Sequence, residues 1–173
     1  SILTGDGAAK VIRPLDAYNE VLATEAVLLP GLMADAVTRD WLSVHRNLAA
    51  EATKLIKARP VFATIALSTD AAADESQIEA VVEEASHWDV AGFYVVAQAA
   101  KYLVEDINWL ANLMILTAGL KLSGKKVIVG YANHQLLCLA AANTDAIASG
   151  TWLNVRAFDP NKFYIPDEDD VSR

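Results

Sequence analysis

Polar side chains that could bind or transform a ligand follow each of four short apolar runs in the chain. Asp70 comes after the first run, Gln98 after the second, and Asn133 with His134 after the third. An imidazole titrates near neutral pH and a carboxyl group can be tuned toward it, so His134 and Asp70 are the catalytic candidates. The other two residues are candidates for hydrogen bonding to a ligand.

The segment after the fourth run adds hydroxyl, amide, aromatic and cationic groups. These ligand-binding candidates are Ser149, Gly150, Thr151, Trp152, Asn154 and Arg156. Arg156 is the one cation in the set, which favours a ligand that is anionic. Structural roles are open for the same residues: Asp70 and His134 also suit helix caps, Arg156 could pair with Asp159, and Ser149–Thr151 could be a plain turn.

The apolar runs themselves are typical of strands that are buried on both faces. We predict strands at 61–67, 91–97, 126–131 and 145–149, because each run is short, rich in Val, Ile and Phe, and bounded by polar or turn residues. Helices are predicted between them. Asp74 with Gln77 is a capping-box start, Asp106 is a second cap, and residues 134–142 predict a short helix.

The N-terminal third gives a less regular pattern. Residues 25–29, stopped by Pro30, predict one more strand, and a helix capped by Asp35 would then lead toward Pro60. The competing interpretation makes residues 16–29 a single helix. The first interpretation keeps strands and helices in alternation.

Strands that alternate with helices predict an α/β fold with parallel strands, because each return to the same sheet edge is a right-handed crossover. We expect part of a TIM-type barrel; the alternative is a five-stranded doubly wound sheet. In both folds ligands bind at the carboxyl ends of the strands, which would bring the candidate residues to one edge.

The last strand–helix–strand segment resembles the seventh and eighth strands of phosphate-binding β/α barrels. The resemblance rests on Gly130 after a strand, the short helix 134–142, the segment Thr144–Ile147, and the turn Gly150-Thr151. It implies a phosphate-binding turn, although such barrels often carry two glycines where this chain has Gly130 alone.

A weaker similarity connects the loop from Thr151 to Arg156 with the barrels of tRNA-guanine transglycosylases, and it implies a transglycosylase-like activity on a nucleobase. Ala148 and Ser149 stand where that family has its nucleophilic aspartate. The family's cysteine-rich zinc site also has no counterpart.

The composition argues against two classes of protein, duplex nucleic-acid binders and membrane-spanning proteins. The 173 residues are 54% hydrophobic and carry a net charge of −8, which argues against a duplex nucleic-acid partner. No apolar run is long enough for a membrane span. A single cysteine predicts a reducing, cytoplasmic setting.

The three histidines are scattered, with His45 and His87 expected on helix surfaces, so we predict no metal site. The sequence indicates no particular cofactor.

We expect a single β/α domain over residues 1–173, with an acidic tail from 159 to 173. Complete barrels need roughly 200 residues or more. We therefore expect a portion of a longer barrel that an upstream segment or a partner chain completes.

Three functional hypotheses remain open. The chain could be a barrel enzyme, or part of one, that acts on a small anionic or nucleobase-type ligand. It could instead be a non-catalytic binding or assembly module on the same scaffold. A flavodoxin-like nucleotide-binding or receiver domain is the third, although the third strand is followed by Asn133 where a receiver has a phosphorylatable aspartate.

Overall fold

The computed structural model of the protein describes residues 6–152 and 156–163. Its α-helices are α1 (Asp6–Val21), α2 (Arg39–Leu55), α3 (Thr69–Ala73), α4 (Glu75–Ala85) and α5 (Ile107–Leu122), and short 3-10 helices span His134–Ala142 and Pro160–Phe163. Its strands are β1 (Val27–Leu28), β2 (Met33–Ala34), β3 (Val61–Leu67), β4 (Gly92–Ala97), β5 (Lys126–Val129) and β6 (Ala146–Ile147).

The strands form one sheet in the order β1-β3-β4-β5-β6, with β2 also paired to β3, and every pairing is parallel. The predicted α/β class and the parallel order of the four apolar runs are therefore confirmed. Within the described residues the order never reverses, whereas a doubly wound sheet has a point at which it does. Because crossovers between parallel neighbours are right-handed, an order without reversal places the connecting helices on one face.

Two predicted strands are shorter than expected at their carboxyl ends. The third ends at Val129 because Tyr131 has a left-handed backbone (φ 54°), which takes the chain out of the sheet. The fourth is reduced to Ala146–Ile147. These early endings leave Gly130, Tyr131 and the 148–152 segment as loops at the edge where a ligand is expected.

The strand predicted near residue 27 is present, and a second short strand that the sequence pattern did not indicate follows it. Both β1 and β2 pair with β3, with Val27 opposite Val61 and Met33 opposite Ala66. They are two parts of one edge strand interrupted at Pro30. The helix after them begins at Arg39, where the Thr38 hydroxyl accepts from the Trp41 N–H, so the predicted cap at Asp35 is wrong.

The predicted helix starts at Asp74 and Asp106 are confirmed. The Asp74 carboxylate accepts from the backbone N–H groups of Ser76 and Gln77. Hydrogen bonds from the Ser76 hydroxyl and the Gln77 amide, with smaller contributions from those backbone groups, lower the pKa of Asp74. Asp106 caps α5 in the same manner. Carboxylates at these positions satisfy N–H groups that have no partner within the helix.

Alternate residues of each strand lie on opposite faces of the sheet. On one face, Ile65, Phe93 and Val127 are completely buried and join the core formed with the helices. The opposite face, termed here the helix-free face, is formed by the intervening strand residues: Phe62, Thr64, Ala66, Tyr94, Val96 and Ile128. Phe62, Ala66 and Val96 are buried there, whereas Thr64, Tyr94 and Ile128 are half-buried.

His45 is buried, contrary to the expectation of a surface position. Its Nε2 accepts from the Leu32 N–H at 3.0 Å and its Nδ1 donates to the Trp41 carbonyl at 2.8 Å. Burial lowers the pKa of His45, although the hydrogen bond to Trp41 opposes that shift. The neutral ring fixes the β1–β2 connection to α2. His87 is exposed, as predicted.

No helix within residues 6–152 and 156–163 is both long enough and apolar enough to cross a bilayer.

Candidate functional site

Two tyrosines and the loop after β6 form a depression at the carboxyl edge of the sheet, on the helix-free face. The depression has a volume of about 200 Å³ and is open to solvent; its lining comprises Tyr94, Tyr131, Ala148, Ser149 and Gly150. We call these residues, together with Arg156, the rim site. The expectation that the strand ends converge on one edge is met for this part of the sheet.

Tyr94 lies across Gly130, the single glycine after the third predicted strand where phosphate-binding barrels often carry two. A Cβ atom at Gly130 would be 2.0 Å from the Tyr94 Oη and 2.4 Å from its Cζ. The phenol therefore occupies the space that the glycine leaves open. Burial, with a smaller contribution from Tyr131 nearby, raises the pKa of Tyr94, so the group is a neutral hydrogen-bond donor at pH 7.

Tyr131 connects the sheet to the chain beyond β6. Its ring meets Phe158 edge-on, with the ring centroids 5.3 Å apart. Phe158 in turn forms an isolated parallel bridge with Gln98, at the end of β4. A positive φ in an aromatic residue is uncommon and is held only where the surroundings require it. The contact with Phe158 holds Tyr131 in this conformation and keeps the 156–158 segment at the strand ends.

Arg156 is half-buried beside this aromatic pair. Its Nε donates to the Gly150 carbonyl at 2.8 Å, which joins the two ends of the loop. Among the described residues no carboxylate forms an ion pair with Arg156, and Asp159 instead accepts from the Asn161 N–H. Arg156 also lines a cavity next to Tyr131 with a volume of about 10 Å³, close to the space for one water molecule.

Two of the predicted ligand-binding residues have structural roles. Asn133 is buried and caps the His134–Ala142 helix: its Oδ1 accepts from the Gln135 N–H, and its Nδ2 donates to the Tyr102 carbonyl. Gln98 contributes through its backbone, since its carbonyl accepts from the Trp109 indole N–H at 2.9 Å.

The two catalytic candidates lie away from the depression. Asp70 is exposed on α3, and His134 is exposed at the start of its 3-10 helix; neither lines the cavities that contain Arg156 or Tyr94. Thr151 and Trp152 are also exposed, Trp152 to 75%, in the loop between Gly150 and Arg156.

Asn154 lies outside the described residues, as does the acidic part of the expected tail from residue 164 onward.

Sequence reasoning missed the two tyrosines. The apolar run 91–97 predicted a strand, and strict alternation along it puts Tyr94 on the face opposite Phe93 and Val95. This alternation, together with Gly130 at the end of the next strand, could have indicated that the Tyr94 side chain lies over the glycine. The left-handed backbone of Tyr131 has no such signal in the sequence.

Among residues 6–152 and 156–163, no cluster of three His, Cys, Asp or Glu side chains could hold a metal ion. Comparisons of the chain with protein-family models, with curated proteins and with solved structures find no match.

Proposed function

We propose that the protein binds a small anionic ligand, with a planar group attached, at the rim site. The observation that carries the proposal is the Arg156 guanidinium, which is half-buried and has no carboxylate partner in the described part of the chain. In a chain with a net charge of −8, a partly desolvated cation without a counter-ion is a natural position for an anion.

The neighbouring groups fit a ligand of this kind. Tyr94 supplies a phenol that stays protonated, Ser149 an exposed hydroxyl, and Gly150 a backbone without a side chain next to the guanidinium. Tyr131 and the exposed Trp152 offer ring faces for a planar group. A stacking contact and a charge-assisted hydrogen bond are the two interactions that a phosphate-bearing nucleobase would use.

The volume limits the size of the bound group. The depression of about 200 Å³ is smaller than the roughly 300–1,000 Å³ typical of sites that enclose drug-sized ligands. Arg156 does not line the depression itself, but its Nε donates to the carbonyl of Gly150, which does. We therefore expect the anionic group, of phosphate or carboxylate size, to sit at the Gly150 edge of the depression within reach of the guanidinium, with the planar part resting on the aromatic rim.

The proposed scaffold is a portion of a TIM-type barrel. Its support is the strand order, since neighbours in the sheet follow one another along the chain without reversal, as they do around a barrel. The helix-free face would then be the barrel interior, and the rim site would lie at the carboxyl end that barrels use for ligands. An upstream segment or a partner chain would supply the remaining strands.

The proposal concerns binding and includes no reaction. A transglycosylase-like step would need an acidic nucleophile at the end of the last strand, where Ala148 and Ser149 stand. Asp70 and His134 are exposed at other points of the edge. Recognition without catalysis, the second of the sequence hypotheses, is what the described geometry favours.

Calorimetric titration with inorganic phosphate, adenosine monophosphate and adenosine tests the proposal. A charge-assisted hydrogen bond is worth about 1.5–3 kcal/mol, so Arg156→Gln should weaken binding of the monophosphate by roughly 10- to 150-fold. Arg156→Lys should recover only part of the loss, because a lysine cannot reproduce the planar fork. Arg46→Gln, which removes the same charge from the exposed Arg46–Glu84 pair, is the matched control.

A second variant tests the phenol. Tyr94→Phe removes only the Oη atom and should weaken binding by about 2- to 10-fold, as expected for a neutral hydrogen bond. Adenosine, which lacks the anion, should bind far more weakly than its monophosphate. Equal affinity of Arg156→Gln and Arg46→Gln for the monophosphate, or no binding of phosphate or monophosphate to the wild-type chain, would overturn the proposal.

A further inference from the structure

The outer side of α1 carries an exposed apolar stripe, formed by Pro14, Ala17, Tyr18, Val21 and Leu22. Tyr18 is 71% exposed, Val21 84% and Leu22 69%, the latter directly after the helix. These positions recur at intervals of three and four residues, so they share one side of the helix. Large exposed side chains that are contiguous, unlike single ones, mark an interaction site.

The stripe is separate from the side of α1 that packs on the rest of the protein. Ala8 and Ile12 are completely buried in the core, and Leu15 packs against it. An ordinary surface helix has one apolar side and one polar side. Helix α1 instead has an apolar side toward the core and a second one toward solvent, and the second is covered by nothing in the described residues.

Three exposed charges accompany the stripe. Lys10 lies on its line, one turn before Pro14, and two further charges border it on a single flank. Arg13 and Glu20 are seven residues apart, hence two helical turns along the same side, and both are exposed. Neither forms an ion pair within the described residues, whereas Asp16, between them, pairs with Arg59 at 3.1 Å. The positive charge is therefore toward the amino end of the stripe and the negative charge toward its carboxyl end.

This arrangement is complementary to itself when two helices run antiparallel. In an antiparallel pair each flank faces the same flank of the other helix, in the reverse direction. Arg13 would then meet Glu20 of the partner subunit, and the partner's Arg13 would meet Glu20. A parallel pair would instead place both charges against the opposite flank, which carries Val11 and Leu22.

We propose that α1 is the docking surface for a second copy of this chain, packed antiparallel about a twofold axis through the apolar stripe. Such an interface is isologous, since the same patch is used by both copies, and the symmetry supplies both ion pairs at once. Three large side chains per copy give a small interface, below the roughly 1,200 Å² that stable complexes bury. The dimer is therefore weak and depends on protein concentration.

Sedimentation velocity across a wide range of protein concentrations tests the proposal, and circular dichroism verifies that each variant folds. Val21→Glu places a carboxylate in the stripe and should abolish the dimer. Arg13→Glu or Glu20→Arg alone replaces two attractions by two repulsions, and should weaken dimerisation by about 5- to 30-fold. The double variant Arg13→Glu/Glu20→Arg restores both pairs and should return the dissociation constant to near that of the wild type.

Arg39→Glu, at the exposed start of α2, is the charge-matched control and should leave the dimer unchanged. A wild-type chain that stays monomeric at every concentration would overturn the proposal, and so would a double variant no better than either single one. The test is independent of the ligand site: Arg156→Gln should leave dimerisation intact, and Val21→Glu should leave phosphate binding intact.

Discussion

Gly130 is the position where a single added methyl group should have the largest structural effect at the rim site. In Gly130→Ala the new Cβ would be 2.0 Å from the Tyr94 Oη, 2.4 Å from Cζ and 3.0 Å from Cε2. Ordinary contacts between such atoms are about 3.5 Å or longer, so the phenol must move by more than about 1 Å. The ring is half-buried against the sheet, and it can make that movement only by leaving its place.

The expected cost follows from two opposing terms. Overpacking of this kind destabilises proteins by about 1–3 kcal/mol, while replacing glycine by alanine recovers about 0.4–1 kcal/mol by restricting the unfolded chain. Gly130→Ala should therefore lower the free energy of unfolding by roughly 1–2 kcal/mol, measured by urea denaturation. In a Tyr94→Ala background the clash is absent, so the same change should cost nothing or stabilise.

Gly124→Ala provides a control with a different mechanism. A Cβ at Gly124 would meet no atom within 4 Å, but the backbone there has a φ of +78°. That variant should lose about 1–2 kcal/mol through backbone strain, equally with Tyr94 or Ala at position 94. Gly130→Ala could leave the free energy of unfolding unchanged, or lower it equally with Tyr94 and with Ala at position 94. Either result would refute the conclusion that the Tyr94 phenol needs a glycine at position 130.

Two further predictions concern the pH dependence and the start of β5. Because burial holds the pKa of His45 below its unfolded value near 6.5, the unfolded chain takes up the proton first. The contribution of this group to stability should be complete well above pH 6.5 and should be lost progressively as the pH falls below 6.5 toward the lowered pKa of the folded state. Urea denaturation of His45→Asn should show a shallower fall, and an unchanged slope would contradict the reasoning. Asp145 accepts from the buried Val127 N–H at 2.6 Å and from Lys121 at 2.8 Å. Asp145→Asn, which keeps an acceptor, should cost less than about 1 kcal/mol, and Asp145→Ala about 1–3 kcal/mol more in thermal or urea unfolding. Equal losses in the two variants would argue against the hydrogen bond to Val127.

The parts of the fold that depend on neighbours in the sequence could be predicted. Asp74 and Asp106 cap their helices through residues two or three positions away, and the apolar runs 61–67 and 91–97 are strands almost to the residue. Parallel order followed from the alternation with helices. The prediction of a cap at Asp35 was wrong because Thr38, three residues later, also suits the position, and the structure shows that Thr38 caps the helix.

The parts of the fold and of the site that depend on contacts between distant residues could not be predicted from the sequence. His45 is buried, and its ring accepts from the N–H of Leu32, thirteen residues earlier, a contact that no local pattern indicates. Asn133 was correctly placed at the carboxyl edge, but its amide is used by the Tyr102 carbonyl, thirty-one residues away. A sequence shows which polar groups reach an edge of the sheet, and the tertiary structure decides which of them keep unused hydrogen-bonding capacity there.

The interruption between β1 and β2 has a consequence for how copies of this protein can associate. An uninterrupted outer strand offers a row of unpaired amides that any extended chain can join, which is the start of aggregation. Here each half has only two paired residues, Pro30 in the gap has no N–H to donate, and the Leu29 carbonyl accepts from the Thr64 hydroxyl on the inner side. The outer edge is thus a poor template for indiscriminate strand addition, and a strand that completes the proposed barrel there would have to match the two short paired segments and the gap between them. Contact between copies is left to side chains, where charge and shape can discriminate between one partner and another.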